Sequence, residues 1–132
     1  MILYLDASAI ITKVTKRRHV HALNNYIEEN RTARLATNAI GFVESVLRSD
    51  RYGDYPNLIS ELSVEYARIS VSDSICDLAM YMPRGLKAAD AIHVASAMQL
   101  GRELLALVTY DEQMANFAHQ QGLPVAMPGA RP

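Results

Sequence analysis

Lys87-Ala88-Ala89-Asp90-Ala91-Ile92-His93-Val94-Ala95-Ser96-Ala97-Met98-Gln99-Leu100 is followed, after Gly101, by Leu104-Leu105-Ala106-Leu107-Val108-Thr109-Tyr110-Asp111. The first run is Ala-rich, carries Ile92, Val94, Ala95 and Met98, and predicts a helix over 87–100 that Gly101 ends. The second is a short continuous apolar run and predicts a buried strand over 104–109. Asp111 then caps a helix over 112–120, closed by Gly122. A helix feeding a fully apolar strand, followed by another helix, is the unit from which parallel sheets are built.

The same alternation extends toward the N-terminus. Residues 2–5 form an apolar β-prone run that stops at Asp6. Ala9, Ile10, Ile11 and Val14 mark a short helix over 7–14, and Val20, Leu23 and Ile27 mark one over 18–29. Arg34 to Thr37 reads as a second strand, after which Asn38 caps a helix reaching about Asp50. Gly53, Asp54 and Pro56 punctuate a loop. Leu58, Ile59 and Leu62 predict a short helix. Ala67 to Val71 predicts a third strand, and Ser72 or Asp73 caps a helix carrying Ile75, Leu78, Ala79 and Met82. Val125-Ala126 adds a last short strand. These elements predict an α/β fold with a mainly parallel sheet, in one domain over residues 1–132.

Half of the 132 residues are hydrophobic, enough for a core without covalent staples. The lone Cys76 has no disulfide partner and fits a reducing compartment; it is expected to be buried as a small apolar residue. No basic stretch leads into a long apolar run, and no run approaches the length of a membrane helix, so a cytoplasmic protein with no membrane partner is expected. The net charge of −1 does not by itself mark a nucleic-acid binder. The basic residues are uneven, however: Lys13, Lys16, Arg17, Arg18, His19 and His21 crowd one segment, with Arg48 and Arg51 as a second group. Such a cluster serves either a polyanion or simply a solvated helix start.

Four carboxylates occupy informative positions. In open parallel sheets, sites form beyond the carboxyl ends of the strands. Asp6 directly follows the first strand and Asp111 lies just past the last long one, so both are expected at the same sheet edge. Taken singly, Asp6 is also an ordinary turn residue and Asp111 an ordinary N-cap, with Glu112 beside it as an alternative acid. Glu44 sits on a helix whose expected core-facing set is Ile40, Val43 and Leu47, which puts it at the border of the apolar stripe. There a carboxylate needs a partner, and Arg48 at i+4 can supply one. Asp90 lies in the first turn of its helix, where the dipole favours an anion, with His93 one turn on. Gathered together, the four would repel without a counter-charge. Mg²⁺ or Mn²⁺ provides one and prefers carboxylate oxygens and water. Carboxylates holding divalent ions suit phosphodiester hydrolysis.

Leu5-Asp6-Ala7-Ser8-Ala9-Ile10, Val43-Glu44, Asp90-Ala91-Ile92-His93-Val94-Ala95-Ser96-Ala97 and Val108-Thr109-Tyr110-Asp111 together resemble, in order, the motifs of the PIN domain. Ala118 and Gly122-Leu123-Pro124-Val125 resemble that family's ending. The match spans nearly the whole chain, and its size and motifs look like the VapC toxins of prokaryotic toxin–antitoxin pairs. The stretch from Tyr52 to Pro83 carries no motif. The resemblance implies a three-layer α/β/α sandwich and a Mg²⁺- or Mn²⁺-dependent endoribonuclease. Its acidic site is Asp6, Glu44, Asp90 and Asp111, with Asp6 and Asp90 as principal metal ligands. Ser8 and Thr109 are implied hydrogen-bond supports, and His93 a packing or supporting residue. It further implies a homodimer, a cognate antitoxin partner, and a structured RNA substrate such as transfer or ribosomal RNA. Two other readings of the same fold are a non-catalytic module that binds RNA or protein and a solitary RNA-processing nuclease. An aspartyl-phosphate or receiver-like enzyme also places Asp at strand ends. Ser8 stands where a dehalogenase-type enzyme needs a second Asp, and no Lys follows residue 87 to complete a receiver site.

Overall fold

The computed structural model describes residues 1–130. Five strands form a single sheet, parallel throughout. They are β1 (Ile2–Leu5), β2 (Arg34–Asn38), β3 (Ala67–Ile69), β4 (Leu104–Val108) and β5 (Val125–Ala126), in the spatial order β3-β2-β1-β4-β5. The chain moves outward from β1 through β2 to β3, then returns to the other side of β1 as β4 and moves outward again. The order therefore reverses between β1 and β4. That reversal opens a crevice beyond their carboxyl ends, where ligands of such sheets bind.

Helices cover both faces. On one side lie α1 (Ala7–Thr15), α2 (Val20–Glu29), α3 (Ala39–Ser49) and α4 (Leu58–Glu65). Their core includes Ile10, Leu23, Phe42 and Leu62, packed on Leu3, Leu5, Ala106 and Val108 of the sheet. On the other side lie α5 (Asp73–Met80), α6 (Ala88–Gln99) and α7 (Glu112–Gln120), with Ile75, Val94 and Phe117 packed on Tyr4 and Leu107. This is the three-layer α/β/α sandwich. Strand side chains alternate between the two cores, as a sheet covered on both faces requires.

One irregularity positions the crevice. Ile2 pairs with Leu104 but Leu3 pairs with Ala106, so Leu105 is an extra residue in β4. The slip sets Leu5 against Val108, and the residues that follow, Asp6 and Thr109, emerge side by side.

Three expectations need correction. The buried face of α3 is Gly41, Phe42, Ser45 and Ser49; Val43 and Leu47 are 54% and 64% exposed. Helix α3 lies so close to its neighbours that a Cβ on Gly41 would stand 2.1 Å from Thr37 Oγ1 and 3.2 Å from His93. Small side chains permit that approach and larger apolar ones do not, so the helix is turned away from its most hydrophobic stripe. Strand β3 ends at Ile69, short of Val71, because it lies at the sheet edge and pairs on one side only. Cys76 is half-buried, not fully buried, since Ile75 is the α5 residue turned into the core.

Candidate active site

The carboxylates of Asp6, Glu44, Asp90 and Asp111 line one cleft of about 170 Å³. Lys87, Arg48 and His93 complete its walls. The acids come from the end of β1, from α3, from the first turn of α6 and from the end of β4, so the strand reversal is what assembles them. Glu112, the alternative fourth acid, is exposed and outside this lining.

Asp6 is almost wholly buried. Its Oδ1 accepts from the Ser8 hydroxyl at 2.6 Å and from the Ala9 N–H at 3.0 Å, the second bond capping α1. Its Oδ2 accepts from the Thr109 hydroxyl at 2.6 Å. Burial nevertheless dominates and raises its pKa; the charge of His93 and the three hydrogen bonds only partly offset it. The supports are themselves fixed. Tyr110 N–H donates to Ser8 Oγ at 2.9 Å, and Asp111 N–H donates to Thr109 Oγ1 at 3.0 Å. Ser8 and Thr109 thus lock the loop after β4 to the start of α1.

Asp111 caps α7, its Oδ1 accepting from Met114 N–H at 3.0 Å. The capping role read from sequence is present, and it leaves the other carboxylate oxygen for the cleft. Glu44 is the most heavily partnered acid. Oε2 accepts from Arg48 at 2.9 Å, the i+4 pair foreseen from spacing, and Oε1 meets His93 Nε2 at 2.7 Å. Burial raises its pKa, but the hydrogen bond and charge of His93, with the charge of Arg48, outweigh that and hold it low. A carboxylate only accepts, so the Nε2 edge of His93 carries its proton toward Glu44. The opposite nitrogen, Nδ1, lies 2.7 Å from the Tyr4 hydroxyl. Burial raises the Tyr4 pKa well above the ordinary phenol range and keeps that hydroxyl protonated. His93 is 1% exposed, a hub that meets the cleft only at its inner wall and bridges Tyr4 to Glu44 inside the protein.

Tyr4 was not singled out from sequence, because a tyrosine within an apolar strand reads as core. Its signal was the need of any buried hydroxyl for a partner. Lys87 was missed as well, since nothing in its surroundings marks it.

Asp90 differs from the others. Its pKa is raised, first by burial, then by repulsion from Asp111, with Asp6 and Glu44 adding to it and His93 opposing. Among the described residues no hydrogen bond offsets this. Four carboxylates thus share one cleft with Lys87 and Arg48 on its walls, and a set of carboxylate oxygens of this kind suits a hard divalent cation. Among the described residues, no three His, Cys, Asp or Glu side chains already converge as a ligand cage. Mg²⁺ does not require one, as it retains several waters and takes one or two carboxylates directly. The residues present fit such an ion.

Comparison with known proteins supplies the class. The PIN domain family model matches residues 3–120, from β1 to the end of α7, and the chain belongs to that family. Two similar proteins run nearly end to end with it. "Ribonuclease VapC46" of Mycobacterium tuberculosis (strain ATCC 25618 / H37Rv) is 30% identical over 96% of this chain and 97% of its own length. "Ribonuclease VapC47" of Mycobacterium tuberculosis (strain CDC 1551 / Oshkosh) is 28% identical over 97% of this chain and 98% of its own. The crystal structure of PAE2754 from Pyrobaculum aerophilum is similar with a TM-score of 0.57 at 21% identity, covering 88% of this chain and 79% of its own, which bears on fold.

Proposed function

We propose that this chain is a Mg²⁺- or Mn²⁺-dependent endoribonuclease acting as the toxin of a toxin–antitoxin pair in the cytoplasm. The observation that carries the reading is that Asp6, Glu44, Asp90 and Asp111, brought from four different elements, line one cleft. A cation held there would supply the activation of water and the stabilisation of charge developing on a phosphodiester. Asp6 and Asp90 would hold it, and Asp111 would complete the shell directly or through water. Ser8 and Thr109 keep the Asp6 carboxylate oriented. Glu44 contributes its negative charge from a side chain pinned by His93 and Arg48.

The names of the relatives support ribonuclease chemistry, and the toxin role, a cognate antitoxin and a structured RNA such as transfer or ribosomal RNA follow the same resemblance. A homodimer is supported by the exposed apolar stripe of Val43 and Leu47 on α3, one helical turn apart. Among the described residues no helix is long and apolar enough to cross a membrane.

The test is RNA cleavage with Mn²⁺ by the wild type, Asp6→Asn and Asp90→Asn. Each substitution deletes one ligand charge while nearly preserving shape, so activity is expected to collapse in both. Cleavage undiminished in purified Asp90→Asn rejects the site. A wild type that binds RNA, takes up no Mn²⁺ and cuts nothing is a binding module instead.

A further inference from the structure

A second pocket, of about 310 Å³, adjoins the acidic cleft and shares Ser8 and Arg48 with it. Its charge is of the opposite sign. Arg17, Arg18 and Arg51 contribute to its walls, and no carboxylate does. Among the described residues these three arginines enter no ion pair.

Flat surfaces stand beside the charges. The Arg17 guanidinium lies over the Tyr52 ring, 4.0 Å from its centroid. His19 and Tyr110 stack with their centroids 5.4 Å apart and their planes 8° from parallel. Both stacks are made by residues far apart in sequence. Tyr110 stands between Thr109 and Asp111, so one wall of this pocket continues directly into the acidic cleft.

The walls are built rather than incidental. Lys16 and His19 hold positive φ angles of 55° and 76°, the only non-glycine residues to do so among those described. That uncommon backbone is what turns Arg17, Arg18 and His19 together. The Tyr110 hydroxyl donates to the Pro128 carbonyl at 2.7 Å. Gly129 passes so close that a Cβ there would stand 2.9 Å from His19 Nδ1. The C-terminal segment therefore braces the stacked pair.

We infer that this pocket is a subsite for one unpaired nucleotide of the substrate strand, next to the phosphate that is cut. The inference rests on the ribonuclease reading, which puts a phosphate in the acidic cleft. The arginines take phosphate oxygens, and the base lies against the Arg17–Tyr52 stack. Single-stranded bases stack on aromatic rings and on guanidinium planes, whereas duplex bases remain stacked on one another. A purely acidic ligand satisfies the charges but leaves the stacking surfaces unused. The subsite therefore selects RNA that is unpaired beside the scissile bond.

The test is binding of a fluorescein-labelled, mixed-sequence, single-stranded oligoribonucleotide to the full chain in EDTA, where nothing is cut. Its duplex and a polyglutamate peptide serve as counter-probes. Tyr52→Ala is expected to weaken single-strand binding by about fivefold to a hundredfold, with smaller effects on the duplex and the peptide. Tyr52→Phe keeps the ring and is expected to bind like wild type. Arg18→Gln is expected to flatten the salt dependence by about 0.7 in log–log slope. Single-strand binding by Tyr52→Ala equal to wild type overturns the subsite, as does an equal loss for all three probes. Cleavage with Mn²⁺ separates the two readings. A wild type that shows these binding effects but does not cut rejects the nuclease and keeps the subsite. A wild type that cuts, with KM unchanged in Tyr52→Ala and Arg18→Gln, rejects the subsite alone.

Discussion

The Thr109 hydroxyl donates to Oδ2 of Asp6 across 2.6 Å, joining residues 103 positions apart. The contact exists because the extra residue in β4 brings the ends of β1 and β4 level. Thr109→Val keeps the shape and deletes the donor. A hydrogen bond to a charged group is worth about 1.5–3 kcal/mol, so urea unfolding at neutral pH is expected to show a loss of that order. The Asp6 pKa, already raised by burial, is expected to rise further. A carboxylate that must be ionised to act then loses its charge at higher pH, so the acid limb of the pH–activity profile should move upward. An acid limb that stays in place shows that Thr109 does not tune Asp6.

His93 joins Tyr4 to Glu44 through both ring nitrogens. His93→Phe fills most of the volume and breaks both contacts. Buried polar groups left without partners cost about 1–3 kcal/mol each, and the variant is expected to lose roughly 2–4 kcal/mol. The loss should depend on pH. The folded-state pKa of Glu44 lies below its ordinary 4.5, with His93 a cause. Its contribution is present above that value and fades as pH falls through the depressed folded one. The stability gap between wild type and variant is therefore expected to narrow on acidification below pH 4.5. A gap constant from neutral to acid pH, measured by urea unfolding, contradicts the link.

Gly41 is a position where two effects oppose. Alanine is favoured over glycine in a helix interior by about 1 kcal/mol. Against that, the added methyl meets Thr37 Oγ1 at 2.1 Å and Thr37 Cβ at 3.2 Å. Overpacking costs typically about 1–3 kcal/mol, and the clash is expected to win. Gly41→Ala should lower the melting temperature and weaken Mn²⁺ binding, because α3 must shift and it carries Glu44. A more stable Gly41→Ala refutes the close approach of α3.

The sandwich was legible because its signals are local. Apolar runs at 2–5 and 104–109, each ending near an Asp, place two acids at one sheet edge once the strands are parallel. The face of α3 was not legible. Hydropathy picks out Ile40, Val43 and Leu47, but burial there is decided by how near the helix comes to Thr37 and His93, which favours Gly41, Ser45 and Ser49. Glu44 lies at the border of either stripe, so its position was read correctly through the wrong neighbours. Tyr4 and the bulge at Leu105 depend on cross-strand register, which no single segment contains.

Asp90 sets stability against function. Its folded-state pKa is raised by burial and by Asp111 before any other acid. Stability from such a group is complete below the unfolded pKa and is lost as pH rises through the folded one, so at neutral pH its charge costs stability. Asp90→Asn removes the charge and nearly keeps the shape. In metal-free buffer at neutral pH the variant is expected to melt higher. Partial exposure screens the effect, so a gain of about 1 kcal/mol or less is expected, roughly a few degrees for a domain of this size. The advantage should vanish below pH 3.8, the ordinary aspartate value, where wild-type Asp90 is protonated too. Adding Mn²⁺ should reverse the order at neutral pH, since the cation stabilises only the chain that binds it. Scanning calorimetry of both chains, with and without Mn²⁺, reads all three. If Asp90→Asn melts lower than wild type without metal, the acids are not in net repulsion and the case for a cation in this cleft falls with it.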